Sequence, residues 1–386
     1  MAAALHLLAP RAASTCPTPT LVFLPNHTQW NASSGAPGAN KYGVEDGLVV
    51  RRADGSFTMI CAEMYGDPKW VSMQLGVYRS ADGLAWARVR GLRRSTGDLS
   101  GASPHSSSWG PFFIHNAAND TWLLSYVGYR GAPSNASGWL ENFQGTIFSR
   151  FAGAPGDAGL DGDFADGLGF PDAVLLAPDD FHVNGPWPHP CQGLQGTDSM
   201  FPYELNDGTW AALVGTSHQE TPNPWPQPGG GKWPVSLARA PALGGPWTRY
   251  NPGDPTRPAD APCVDLNGGF SENPIVSRRP DDRTQFHVVI DNLGGEASSF
   301  GYGCSADGIS WARTAPVAVP GGARTPFGLL PMTPAEVAAR TTDLLADGVL
   351  NSTSLNAPNT SLQWLFFSQN AGGWESFRAA IVQLRW

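Results

Sequence analysis

No stretch of this sequence stays apolar for the roughly 20 residues that a membrane-spanning helix needs. Basic residues are scarce too: 24 Lys and Arg against 33 Asp and Glu leave a formal net charge of −9. That balance argues against nucleic acid or an anionic membrane surface as partner, because both attract basic patches. Cysteines are few, five in 386 residues, and none sits at metal-ligand spacing. Helical periodicity is nearly missing. Only Thr333-Pro334-Ala335-Glu336-Val337-Ala338-Ala339-Arg340 pairs a threonine cap with a first-turn proline, which predicts one short helix over 333–340. No Pro/Ser linker or block of like charge divides the chain, so a single domain is expected.

What is present is a repeated corner. Ser80-Ala81-Asp82-Gly83-Leu84-Ala85-Trp86 and Ser305-Ala306-Asp307-Gly308-Ile309-Ser310-Trp311 share one pattern. Each follows a strand-like run, Leu75–Tyr78 or Phe300–Gly303, and precedes a second short extended run. The Asp-Gly pair supplies a tight turn, since glycine reaches positive φ freely and aspartate accepts hydrogen bonds from the turn backbone. The tryptophan then lands in the returning strand. Two such distant copies read as the same corner in two repeats of a larger array.

Hairpin signatures fill the rest. Gly47–Val50 turns at Ala53-Asp54-Gly55 into Phe57–Cys61, and Pro111–Ile114 turns near Asn116 to Asp120 into Trp122–Tyr126. Met200–Tyr203 turns at Asn206-Asp207-Gly208 into Trp210–Val214, and Pro274–Val276 turns at Pro280-Asp281-Asp282 into Phe286–Ile290. A fifth, weaker copy runs from Gly348-Val349-Leu350 to Leu362–Phe367. The spacing suits units of about 77 residues, enough for four strands and generous loops. The fold expected is therefore an all-β, five-bladed β-propeller. Its approximate blades are 41–105, 106–190, 191–262, 263–322 and 323–386, after an N-terminal segment 1–40. A two-sheet sandwich with long loops is the alternative, and it leaves the repeated corner unexplained.

The sequence also bears on compartment. Asn-x-Ser/Thr sequons stand at Asn26, Asn31, Asn119, Asn135, Asn351 and Asn359, several in expected loops where glycosylation is tolerated. Ala2 to Ala9 is apolar but short, and Arg11-Ala12-Ala13-Ser14 offers small residues for cleavage. The expectation is a glycoprotein of the secretory pathway or the extracellular space. Cys191 and Cys263, in Pro-rich surroundings, are candidates for a disulfide, whereas Cys61 and Cys304 read as buried strand residues.

In a propeller the residues just before each innermost strand converge on the central channel. Here these are Val44-Glu45-Asp46-Gly47, Ser107-Ser108-Trp109-Gly110, Gly196-Thr197-Asp198-Ser199, Phe270-Ser271-Glu272-Asn273-Pro274 and Ala323-Arg324-Thr325-Pro326. Three carry carboxylates, one a tryptophan and one an arginine. Carboxylates from different blades at one polar opening are what glycosidic bond cleavage needs: one acid protonates the leaving oxygen, another carboxylate activates water or attacks the sugar carbon. Asp46, Asp198 and Glu272 are the catalytic candidates, with Glu45 in place of Asp46 if that residue faces away. A partly apolar wall around Glu272, including Phe270, would keep it protonated as a general acid. Trp109 could stack on a sugar, Arg324 hold a hydroxyl or carboxylate, and His218 line the pocket. His287 reads as a core residue, Asp82 and Asp307 as structural, and Trp225 to Trp233 as a loop over the pocket rim.

With these corners, the five-unit spacing and the acidic strand starts, Ser271-Glu272-Asn273-Pro274 above all, the chain resembles the five-bladed propeller glycosidases that include arabinanases, xylosidases, invertases and levansucrases. The resemblance implies a base or nucleophile in the first blade, a modulating aspartate in a middle blade and an acid glutamate later. Asp46 (or Glu45), Asp198 and Glu272 match by type and order. The Asn-Asp-Pro-Asn start of invertases is absent, which disfavours a fructan-cleaving enzyme, and the second blade offers no carboxylate at its strand start. The expected partner is an oligo- or polysaccharide. No cofactor is required, and the channel could hold a structural calcium ion. A non-catalytic carbohydrate- or protein-binding propeller is the alternative function.

Overall fold

The computed structural model describes residues 16, 19–23, 43–64, 73–131, 145–162, 164, 172–177, 194–218, 235–249, 272–279, 282, 284–291, 299–346, 360–371 and 374–385. They form five antiparallel sheets. After β1 (Thr20–Phe23), the first sheet runs through β2 (Val44–Arg51), β3 (Phe57–Met64), β4 (Met73–Ser80) and β5 (Ala87–Arg94). The second contains β6 (Ser107–Asn116), β7 (Thr121–Tyr129), β8 (Thr146–Phe151) and β9 (Ala173–Leu176), with helix α1 (Gly156–Gly162) before β9. The third has β10 (Leu194–Glu204), β11 (Trp210–His218), β12 (Val235–Ala240) and β13 (Thr248–Arg249). The fourth has β14 (Ile275–Arg278), β15 (Phe286–Ile290), β16 (Ser299–Ser305), β17 (Ala312–Arg313) and the short β18 (Val317–Ala318). The fifth has β19 (Pro326–Pro331), β20 (Thr360–Ala371) and β21 (Trp374–Arg385), and β1 is its outer strand.

The first strands of the sheets touch in sequence, β2 to β6 to β10 to β14 to β19 and back to β2. They close a ring, so the fold is a five-bladed propeller. The strands nearest the axis are sandwiched between neighbouring blades, and so β2 and β3 are buried on both faces rather than alternating.

The two corners behave as their sequences imply. Ser80 Oγ accepts the Gly83 N–H at 2.9 Å, and Asp82 Oδ1 accepts those of Leu84 and Ala85 at 2.8 and 2.9 Å. Ser305 and Asp307 repeat this network at Gly308, Ile309 and Ser310. Gly83 and Gly308 take φ of 77° and 73°, which a side chain would resist. Each corner docks on the preceding blade. Trp86 packs edge-on against Phe366 and Phe377 of the fifth blade, and Trp311 against Tyr203 of the third. A third corner, at Leu243 to Trp247, has the tryptophan N–H bonded to the Leu243 carbonyl at 3.0 Å. Lacking the Ser-Asp pair, it gave no sequence signal.

Several features differ from the sequence reading, which expected one helix and did not foresee α1 at Gly156–Gly162. β20 pairs with β19, because α2 (Pro334–Ala346) is inserted into the last hairpin; Gly348–Leu350 lie outside the described residues. The helix extends past 340, and its Thr333/Glu336 capping box is formed, with reciprocal bonds of 3.2 and 2.6 Å. Part of the N-terminal segment joins the ring: β1 pairs with β21 and so ties the two ends of the chain into one sheet. Finally, Cys304 is bonded to Cys16, which fastens the stretch before β1 to the fourth blade. Cys61 is a free, buried thiol; Cys191 and Cys263 lie outside the described residues.

Candidate functional site

At their beginnings the inner strands are irregular. The ladder shifts register between Glu45 and Gly47 in β2, between Trp109 and Phe112 in β6, and between Gln195 and Ser199 in β10. Asp46, Gly110 and Asn273 adopt positive φ of 41°, 51° and 51°. Aspartate and asparagine tolerate this conformation better than other side-chain-bearing residues. Such bulges bend a strand and re-aim its side chains, and they recur next to active sites. Gly47 is needed for packing: a Cβ there would come within 2.3 Å of the Ile60 carbonyl oxygen.

These starts bring one cluster together. Arg324, just before β19, places Nη2 2.5 Å from Glu45 Oε1, and Nη1 2.8 Å from Asp291 Oδ2 and 3.4 Å from Glu272 Oε2. Glu45 comes from the first blade, Glu272 and Asp291 from the fourth and Arg324 from the fifth. Glu272 and Asp291 are also joined through the backbone, the Asp291 N–H donating to the Glu272 carbonyl at 2.9 Å. Since both carboxylates reach the same nitrogen, their nearest oxygens are no more than roughly 6 Å apart. The carboxylates are buried, yet Glu272 is 5 % exposed against 1 % for Glu45 and Asp291. It is also held least tightly by the arginine.

Asp46 is engaged differently. Its Oδ1 accepts the Asn273 amide N–H at 2.7 Å. This bond joins the first blade to the fourth, which are not neighbours in the ring, and leaves Asp46 only 2 % exposed. The Asn273 carbonyl oxygen, equally buried, has no hydrogen-bond partner among the described residues.

The cluster therefore unites Glu45, Glu272 and Arg324 and adds Asp291, which sequence reasoning missed. Asp291 follows the second strand of its blade, not the first, so no strand-start signal marks it. Glu272 faces a guanidinium where an apolar wall was expected; Phe270 lies outside the described residues. Trp109 is buried at 4 % exposure, packed edge-on to Tyr129 with its N–H on Ser107 Oγ. It belongs to the hydrophobic core and presents no open face for stacking. Asp198 falls in the bulge of β10 and His218 ends β11, opposite Leu194; their side chains, and Trp225 to Trp233, lie outside the described residues. The converging carboxylates close on a guanidinium, and among the described residues no three His, Cys, Asp or Glu are grouped to hold a metal ion. These residues do not fit a calcium site.

Two other buried polar groups are structural. Glu63 of β3 accepts from Arg88 at 2.7 and 2.9 Å, from Gln74 at 2.6 Å and from the Tyr78 hydroxyl. Burial and neighbouring Cys61 and Glu63 hold that hydroxyl far above its usual pKa. His287 is buried in the fourth blade with Nδ1 3.2 Å from the Tyr302 hydroxyl. Burial pushes its pKa down to about 3, with the Arg279 charge adding to the effect. The folded state thus keeps this imidazole neutral while the unfolded chain takes up a proton below about pH 6.5. The stability it contributes is complete above that pH and is lost as pH falls toward 3. In urea titrations from about pH 7 to about pH 4, wild type should lose more stability than His287→Gln, by up to about 1.4 kcal/mol per pH unit. Equal slopes for the two proteins would contradict the buried, neutral assignment.

No protein-family model matches this sequence, and no curated protein is similar to it by sequence. Solved structures do share its fold. One described as a glycoside hydrolase is 13 % identical with a TM-score of 0.54, over 95 % of this chain and 91 % of that one. A family 117 glycoside hydrolase from the marine bacterium Zobellia galactanivorans is 12 % identical with a TM-score of 0.51, over 94 % and 90 %. An exo-β-1,3-galactanase from Clostridium thermocellum is 10 % identical with a TM-score of 0.51, over 94 % of this chain and 62 % of that one. What this chain has in common with all three is the propeller that brings Glu45, Glu272, Asp291 and Arg324 to one end of its ring.

Proposed function

We propose that this protein is a glycoside hydrolase acting on an oligo- or polysaccharide. The observation that carries the reading is the meeting of Glu45, Glu272 and Asp291 on Arg324 at the ring's inner strand ends. Glu272, the most exposed and most loosely held of the carboxyls, is assigned to protonate the leaving oxygen. Glu45, reaching in from the opposite blade, is assigned to activate water or attack the sugar carbon. It takes the part that sequence alone first offered to Asp46, whose carboxylate is committed to Asn273. Similar folds among glycoside hydrolases support the reading by analogy of architecture only, because propellers host many functions.

Incubation with a panel of aryl glycosides and of plant and algal polysaccharides tests it. Turnover of at least one is expected, and a folded sample inert toward all of them would overturn it. A second reading, a sugar-binding propeller without catalysis, is favoured by the near-complete burial of Glu45, Asp46 and Asp291. Saturable binding of a glycan that is never cleaved would select it.

Secretion and glycosylation belong to the same proposal. The Cys16–Cys304 disulfide suits an oxidising compartment. Asn119, in the exposed turn between β6 and β7, presents its sequon to solvent.

A further inference from the structure

An arginine in a sugar site is commonly read as a handle for a substrate carboxylate, since a guanidinium forks onto two oxygens. Here the fork is already occupied. Both terminal nitrogens of Arg324 lie within ion-pair distance of the protein's own carboxylates, Nη2 beside Glu45 and Nη1 beside Asp291 and Glu272. Thr325, the next residue, places its hydroxyl 3.5 Å from the same Asp291 oxygen.

The remaining polar atoms point the same way. With its amide N–H on Asp46, Asn273 turns its buried carbonyl oxygen away from that bond as an acceptor lacking a donor among the described residues. Glu45 and Asp291, ionised against Arg324, are acceptor-only, as is the Asn273 amide oxygen, and Glu272 has a single proton to give. Apart from that proton, the groups gathered around Arg324 ask their ligand for donors. A sugar hydroxyl supplies donors. A uronate carboxylate supplies none and meets like charge, a juxtaposition that disfavours binding.

We propose that Arg324 is a positioning residue, held by Glu45 and Asp291 so that it orients Glu272, and that the ligand beside it is an uncharged, hydroxyl-rich sugar rather than a sugar acid. That the ligand is a sugar rests on the glycosidase reading; the assignment of Arg324 does not.

The experiment follows the side-chain N–H signals of Arg324 by NMR, identified by their loss in Arg324→Lys, while galactose, galacturonate or acetate is added. In wild type, galacturonate and acetate should leave these signals in place, and galacturonate should bind on the order of tenfold more weakly than galactose, or worse. Asp291→Asn removes the negative charge that faces Nη1. In that variant acetate and galacturonate should move the Arg324 signals, and the penalty against the acid should shrink by about tenfold. Glu45→Gln, which removes the charge facing Nη2 instead, should respond in the same way and serves if Asp291→Asn does not fold. Wild-type Arg324 signals that shift with either anion, or galacturonate binding as tightly as galactose, would overturn the proposal. So would variants that gain no response to acetate. If neither sugar binds wild type while the variants respond to acetate, Arg324 is correctly assigned and the glycosidase reading is the one that fails.

Discussion

Glu272→Gln should lower turnover of a glycoside with a poor leaving group by roughly 10² to 10⁴, the range associated with loss of general acid catalysis. The geometry makes this replacement informative. Glu272 lies 3.4 Å from Arg324, farther than Glu45 or Asp291, so an amide there removes the weakest of the arginine's three contacts. Folding should survive the change. The proton, however, is gone, and the leaving oxygen must depart unassisted. Substrates carrying an activated aryl leaving group need little protonation and should lose far less. The comparison should appear in kcat more than in KM, because protonation matters only as the bond breaks. Equal activity of Glu272→Gln and wild type toward an alkyl glycoside would remove this residue from the mechanism.

Arg324→Met should be the most destabilising single change at the site, costing about 3 to 5 kcal/mol, because removing one partner of a buried ion cluster leaves the others uncompensated. Glu45 and Asp291 are 1 % exposed, and water cannot replace the guanidinium without opening the packing between blades. Urea unfolding should show a lower midpoint with an unchanged slope. Arg324→Lys should recover part of the loss, since an ammonium restores the charge but cannot present two nitrogens to carboxylates on opposite sides. Combining Arg324→Met with Asp291→Asn should cost less than the two changes added together, because the second removes a charge that the first had orphaned. A loss below about 1 kcal/mol in Arg324→Met would place the cluster among solvated surface pairs and refute its description as buried.

Much of the architecture was legible because it is written locally. The Ser-x-Asp-Gly corners, the turns at Asp54-Gly55 and Asp207-Gly208, and the Thr333 cap act within a few residues, and each has its own residue signature. The same holds for the strand starts. Glu45, Glu272 and Arg324 were found because a propeller places the residues before its inner strands at one end of the ring. Asp46 was found there too, but its commitment was not. The bond from Asp46 to Asn273 spans 227 positions, and no pattern in either segment announces it. Asp291 escaped because it follows a second strand and enters the site only when Arg324 arrives from the next blade.

By itself, then, the sequence determined the repeating unit, the turn at each corner and the acidic character of the inner strand ends, since these depend on short-range backbone chemistry and side-chain type. The tertiary structure alone decided how the ring is fastened and how its charges are shared. The outer strand of the last blade comes from Thr20–Phe23, and Cys304, a buried strand residue as its sequence implies, is bonded to Cys16 across a separation of 288 residues. Likewise the guanidinium of Arg324 is given to three carboxylates of the chain itself. Closure of the ring sets those distances, and a long-range distance leaves no periodicity in the chain from which it could be read.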